Sequence, residues 1–394
     1  MRESALALAL SRLLIWAVAV PAYLLLDLSP EVRFDHGGLT QSFGDVGNAL
    51  AAPAVRWDSN WYFDIADHGY RHQTERAFFP LYPLLMRTGG LVTGSTVVAG
   101  LVISIACFFA ALVLLHRLCA LEVGQDAAHR SVYLLAFFPT ALFFSALYTE
   151  SLFLALELGA FYAARRERWA WAGVLGMLGS ATRNTGFVLA PVLLVLYLYG
   201  PRGDREPRPR TGLRPRYRLG ASAAWIALVP IGLLAYLAYS AADAGDWLAP
   251  MTAARENFQR SFDGPLSGLW QGAELAWNSL TGLIDGSGRS FGAFNKVALF
   301  GTAAAAVAAT VDLLRRLPLA YGIYVAASLL IILSFPHPLG PLASSLRYIA
   351  VLFPLFLWLG LRLRDPRAYR AVLAIFALGL AYGAANFATW NFVA

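Results

Sequence analysis

Four polar groupings interrupt an otherwise apolar chain, and each holds residue types suited to acid–base or anion chemistry. The first is Arg56-Trp57-Asp58-Ser59-Asn60-Trp61-Tyr62-Phe63-Asp64-Ile65-Ala66-Asp67-His68-Gly69-Tyr70. Projected at about 100° per residue, Trp57, Trp61, Ile65 and Tyr62 share one arc, and Asp58 falls inside it. Asn60, Asp64 and Asp67 take the opposite side, where water would satisfy them. A carboxylate on an apolar arc is costly without a partner or a task. Asp58 is therefore either a functional acid aimed at aromatic surface or the N-cap of a helix starting at Ser59, accepting bonds from its first amides. Asp64, Asp67 and His68 read as a solvated face, with metal ligation the lesser alternative, and Gly69 suits the helix end.

The second grouping, Ala181-Thr182-Arg183-Asn184-Thr185-Gly186, breaks a long apolar stretch. A broken helix exposes amides, and Arg183 beside Asn184 makes either an anion site or a polar hairpin tip with a snorkelling arginine. The third is Tyr148-Thr149-Glu150-Ser151, after which Glu157 falls mid-helix as an intramembrane acid without a visible reason. In the fourth, Ser344-Ser345-Leu346-Arg347-Tyr348, Arg347 faces the same choice as Arg183.

The elements that must position these residues belong to a membrane. Of 394 residues, 58% are hydrophobic and only 14% charged, with mean hydropathy +0.56, where soluble domains carry roughly 25% charge. A cytosolic enzyme, a secreted disulfide scaffold and a disordered tail are excluded. Apolar segments at 8–28, 97–117, 131–147, 150–164, 169–182, 185–199, 219–241, 297–314, 318–335, 346–362 and 371–391 make about eleven transmembrane helices of an all-α polytopic protein. Several fall short of the roughly 20 residues a bilayer needs, so those across 131–199 must be tilted, recessed or hairpinned. No cleavage site follows the first segment, which reads as a retained span. Cys107 and Cys119 lie too far apart on one helix to bridge.

The net charge of +7 does not imply nucleic acid as a partner, because the arginines sit in short clusters between apolar runs. With the N-terminus cytoplasmic, the inner segments hold Arg2, Arg12, Arg117, Arg130, the 165–168 group, the basic 201–218 loop, Arg315, Arg316 and the arginines of 362–370. The positive-inside rule supports that orientation, and the 201–218 loop reads as a connector touching anionic lipid. Two outer segments, 29–96 and 242–296, are too long for turns and are the expected seat of function. On this topology Asp58, Glu150, Arg183 and Arg347 reach one membrane face, joined by Arg255 and Arg260 from the later segment. One acid and several arginines there suit a phosphate-bearing substrate at the lipid boundary.

The run Arg56-Trp57-Asp58, with Ile65-Ala66, Gly69-Tyr70 and Ala77-Phe78-Phe79-Pro80-Leu81-Tyr82-Pro83-Leu84, closely resembles PIG-V family mannosyltransferases. In the same order follow Ala136-Phe137-Phe138-Pro139-Thr140, Phe144-Ser145-Ala146-Leu147 leading into the Glu150 grouping, the Arg183 grouping, and Leu346-Arg347-Tyr348 with Phe353-Pro354. The chain departs from the eukaryotic Arg-Ser-Asn-Gly pattern with Arg183-Asn184-Thr185-Gly186, which weakens the transfer of that loop's role. The resemblance implies a bacterial-type GT-C glycosyltransferase: one integral membrane domain in the plasma (inner) membrane, with a long first extracytoplasmic loop that contains amphipathic helices and the active site. It implies a polyprenyl-phosphate sugar as donor, a glycolipid or glycan acceptor, and no metal or other cofactor. By that analogy Asp58 is the general base of an inverting transfer of mannose. Arg56, Arg183, Asn184, Arg347 and Arg255 would take the donor phosphate and substrate, with Trp57, Trp61, Tyr70, Glu150, Asp64 and Asp67 in support. The rival class is a lipid-linked sugar transporter or flippase, which would place its binding groups near the bilayer midplane in two similar halves; here the polar clusters crowd one edge and no half repeats the other.

Overall fold

The computed structural model describes residues 1–31, 43–203, 214–284, 290–338 and 340–393, so most of the basic 201–218 loop and parts of segments 29–96 and 242–296 lie outside the described residues. Among the described residues the fold is all α-helix and 3-10 helix, apart from one isolated bridge between His337 and Gly340. Five helical stretches are long and apolar enough to cross a bilayer: Arg2–Leu25, Thr96–Val123, Ala221–Ala244, Gly292–Arg316 and Pro366–Ala388. The chain is an integral membrane protein. Local signals explain where these helices start. Ser95 accepts a bond from the Val98 amide, and Asp365 accepts one from Ala368 with Pro366 in the first turn.

Helix Glu150–Arg165 lies at the centre, buried on almost every side and flanked by Thr96–Val123 and Trp169–Ser180. Its apolar, small-residue surface allows that enclosure, and its first residue is Glu150. The three aromatic–proline pairs mark helix boundaries: Pro80 precedes helix Leu81–Thr93, Pro139 follows the end of Gln125–Ala136, and Pro354 lies in the first turn of Phe353–Arg362.

Several expectations need correction. Segment 131–147 is not one helix, because Gln125–Ala136 stops at Phe137 and the chain continues through a 3-10 turn at Ala141–Phe144. The expected span 346–362 likewise breaks at Val351 and Leu352. Arg12 is no surface topology signal: it is buried within Arg2–Leu25, where Nη1 donates to Ala141 O and Ser145 Oγ, each at 2.9 Å. Its guanidinium lies over the Phe108 ring, so it clamps the 3-10 turn to the first helix. As expected for the first, both long segments contain helices among the described residues: Gly44–Ala51, Ser59–His68 and Leu81–Thr93 in 29–96, and Ala249–Phe258 and Ser267–Ile284 in 242–296.

Candidate active site

The first polar grouping is fixed by the third. Leu147 N–H donates to Ala54 O at 2.9 Å, Tyr148 Oη donates to Arg56 O at 3.1 Å, and the Asp58 amide donates back to Tyr148 Oη at 3.1 Å. Tyr148, fully buried, thereby pins the turn before helix Ser59–His68 against the start of the central helix. Trp57, immediately before Asp58, adopts left-handed backbone (φ 56°). That conformation is uncommon for a bulky residue and is held only where surrounding contacts over-determine it.

Asp58 stands at the N-cap position, but its side chain makes no capping bond. Arg347 Nη1 donates to Asp58 Oδ2 at 2.7 Å instead. Arg347 lies on the short helix Ser345–Ala350, entered through Ser344, whose backbone is also left-handed (φ 66°). Arg347 Nε stands 3.4 Å from Glu150 Oε1, an ion-pair distance without hydrogen-bond geometry. The same Glu150 oxygen accepts a bond from Arg183 Nη1 at 2.7 Å. Four distant parts of the chain thus form one chain of charges: Asp58, Arg347, Glu150, Arg183.

Arg183 occupies the extended break between Trp169–Ser180 and the 3-10 turn Asn184–Val188. The turn can pack there because residue 186 is glycine; a Cβ would sit 2.4 Å from Gly179 O. The Tyr348 ring gathers the cations, with the Arg183 and Arg347 guanidiniums each 5.2 Å from its centroid and Arg260 5.9 Å away. Arg260 is held by bonds to Phe335 O at 3.1 Å and Ala343 O at 3.0 Å. Beneath the cluster Tyr62 Oη meets Thr149 Oγ1 at 3.3 Å. Burial, with Glu150 and Asp58 adding to it, raises the Tyr62 phenol above its ordinary value and keeps it protonated. Glu150 is 2% exposed, whereas the Asp58 side chain is 27% exposed and forms the open edge. Three arginines facing two carboxylates leave an excess of positive charge, suited to an anion.

The other residues singled out from sequence have different surroundings. Arg56 is 1% exposed; it donates to Ala388 O and Val55 O and lies against the Tyr23 and Trp390 rings, so it braces the fold instead of presenting a guanidinium to an anion. Arg255 is exposed and pairs with Glu256. Asn184 is exposed and its Oδ1 accepts from the Thr185 amide. Trp57 is outside the helix and packs on Trp390 and Phe392, so the single aromatic arc does not form; Trp61 stacks on Phe78. Asn60, expected in water, is buried. Tyr70 donates to Phe78 O at 2.7 Å. Asp67 is exposed and Asp64 half-buried, and among the described residues no three His, Cys, Asp or Glu side chains gather as metal ligands. Glu157 accepts a bond from Tyr324 Oη in the bundle interior. Sequence reasoning passed over Tyr148, Tyr62 and Tyr348 as site residues, although each stands beside a residue it singled out.

Comparison with known proteins bears on the family and the fold. The family model described as mannosyltransferase (PIG-V) matches residues 33–195, which include Asp58, Glu150 and Arg183. GPI alpha-1,6-mannosyltransferase 2 of Cricetulus griseus is 30% identical over 214 residues, covering 50% of this chain and 43% of that protein. GPI mannosyltransferase 2 of Cryptococcus neoformans is 26% identical over 185 residues, covering 43% of this chain and 44% of that protein. The chain therefore matches less than half the length of these curated relatives. The crystal structure of ArnT from Cupriavidus metallidurans bound to undecaprenyl phosphate superposes with a TM-score of 0.53 at 13% identity, covering 96% of this chain and 63% of that one. Residues 33–195 thus resemble the PIG-V mannosyltransferase family, within a membrane protein that shares its fold with ArnT.

Proposed function

We propose that this protein is an inverting glycosyltransferase that moves mannose from a polyprenyl-phosphate donor to a hydroxyl of a glycolipid or glycan. The observation that carries the proposal is the pairing of Asp58 with Arg347, in one buried cluster with Glu150 and Arg183. Asp58 takes the proton of the acceptor hydroxyl as that oxygen attacks the anomeric carbon. The bond between that carbon and the phosphate oxygen breaks, and Arg347 and Arg183 stabilise the charge gathering on the leaving lipid phosphate. A phosphate that takes over Arg347 also releases Asp58 Oδ2 for its role as base. Mannose comes from the named activity of the curated relatives, and the lipid-phosphate class from the ligand in the ArnT structure. The cluster faces the extracytoplasmic side of a plasma (inner) membrane in this reading, with the N-terminus cytoplasmic. Residues 1–394 act as one membrane domain.

The test is transfer from polyprenyl-phosphate mannose in membranes expressing the wild type or Asp58→Asn, with extracted glycolipids and glycans as acceptors. The proposal expects wild-type transfer that depends on Asp58. Undiminished transfer by the variant removes the base, and no transfer by either contradicts the reaction.

A further inference from the structure

Glu150 is more than a counter-ion for the two arginines. Its Oε1 receives both, Arg183 Nη1 at 2.7 Å and Arg347 Nε at 3.4 Å, while Oε2 is fully buried and accepts no hydrogen bond among the described residues. Arg347 Nε, and Ser345 Oγ on the same short helix, are also buried and make no hydrogen bond among the described residues. A buried carboxylate oxygen without a donor is destabilising, and buried polar atoms are nearly always satisfied. An unmatched acceptor on the carboxylate that two guanidiniums share therefore points to a ligand that brings a hydroxyl group as well as negative charge.

We infer that Glu150 Oε2 accepts a hydrogen bond from the 2-hydroxyl of the donor sugar and is a specificity-determining residue of the site. This rests on the proposed lipid-phosphate sugar donor. The phosphate of such a donor is bonded to C1, so once Arg183 and Arg347 hold it, the hydroxyl on C2 is the sugar hydroxyl nearest to them. Glu150 is the acid that both arginines touch, and its remaining oxygen is an acceptor, the complement of a hydroxyl donor. C2 is also where mannose and glucose differ in configuration, so a fixed acceptor beside the phosphate distinguishes the two. A site built to hydrogen-bond a substrate hydroxyl rejects the analogue lacking it strongly, because its own buried group is then left without a partner.

The test uses the full chain in membranes, with polyprenyl phosphate carrying mannose, glucose or 2-deoxymannose as probes. Wild type is expected to favour mannose over 2-deoxymannose and glucose by at least about 100-fold in kcat/KM. Glu150→Asp keeps a charge for the arginines but withdraws the oxygen, and Glu150→Gln keeps the size without the charge. Both variants are expected to lower mannose transfer and to bring the mannose to 2-deoxymannose ratio at least about tenfold closer to one; intrinsic donor reactivity cancels when that ratio is compared between enzymes. A wild-type mannose to glucose ratio near one, between donors of comparable intrinsic reactivity, overturns the contact without requiring any variant to fold. An unchanged ratio in a variant with residual activity assigns Glu150 to positioning the arginines and overturns it too. Failure of wild type to use any of the donors contradicts the reaction itself, an outcome distinct from transfer without selectivity.

Discussion

The two ends of the helical bundle hold buried ion pairs of similar chemistry that differ in what they leave unfinished. At one end Arg165 Nε pairs with Glu122 Oε1, Tyr321 Oη donates to that same oxygen at 2.9 Å, and Arg165 Nη1 donates to Pro201 O at 2.9 Å. That set closes on itself and ties four parts of the chain together. At the other end Asp58, Arg347, Glu150 and Arg183 also join distant elements, yet Glu150 Oε2 makes no hydrogen bond among the described residues and Asp58 keeps an exposed edge. Removing one partner from a closed buried pair is expected to cost stability. A cluster that holds charge ready for a ligand should show its cost in turnover.

The comparison can be broken in four ways. Asp58→Asn carries the largest expected effect, a loss of roughly 10²–10⁴-fold in kcat, with folding and donor binding retained; initial rates in membranes measure it. Arg347→Gln and Arg183→Gln should each lower kcat/KM by roughly 10²–10³-fold. Their loss should include weaker retention of polyprenyl phosphate, measured by direct binding in detergent. Glu122→Gln should instead leave turnover per folded molecule near wild type while lowering unfolding stability by roughly 3 kcal/mol, seen as a reduced Tm. A loss of turnover larger than the loss of stability would erase the contrast between the two ends. The smallest effect belongs to Arg255→Ala, which alters a surface pair and should change kcat/KM by no more than about twofold.

Much of this arrangement can be read in the sequence, because the membrane imposes simple rules. Apolar length marks the membrane class and several of the spans, and on the topology expected from charge patterning Asp58, Glu150, Arg183 and Arg347 share one face, where the structure brings these four together. The failures have physical causes. An arginine in an apolar context has the same letter whether it snorkels, meets an anion or clamps carbonyls, so Arg12 reads as a topology signal and Arg56 as a phosphate ligand. Both are buried braces whose partners lie at Ala141 and Ala388, far along the chain. The aromatic arc assumes regular helix through residue 57, and the left-handed turn at Trp57 breaks that assumption. Tyr148 is hidden for a related reason, since its hydroxyl bonds to backbone atoms of residues 56 and 58, which no pattern of side chains displays.

The most direct measurement compares Asp58→Asn with wild type in two assays on the same preparation, binding of polyprenyl phosphate and transfer from polyprenyl-phosphate mannose. The expected result is binding at least equal to wild type, because Arg347 has lost a competing carboxylate, together with transfer reduced to background. A variant that still transfers mannose at the wild-type rate would contradict the assignment of Asp58 as the base, and with it the reading of this cluster as the catalytic centre.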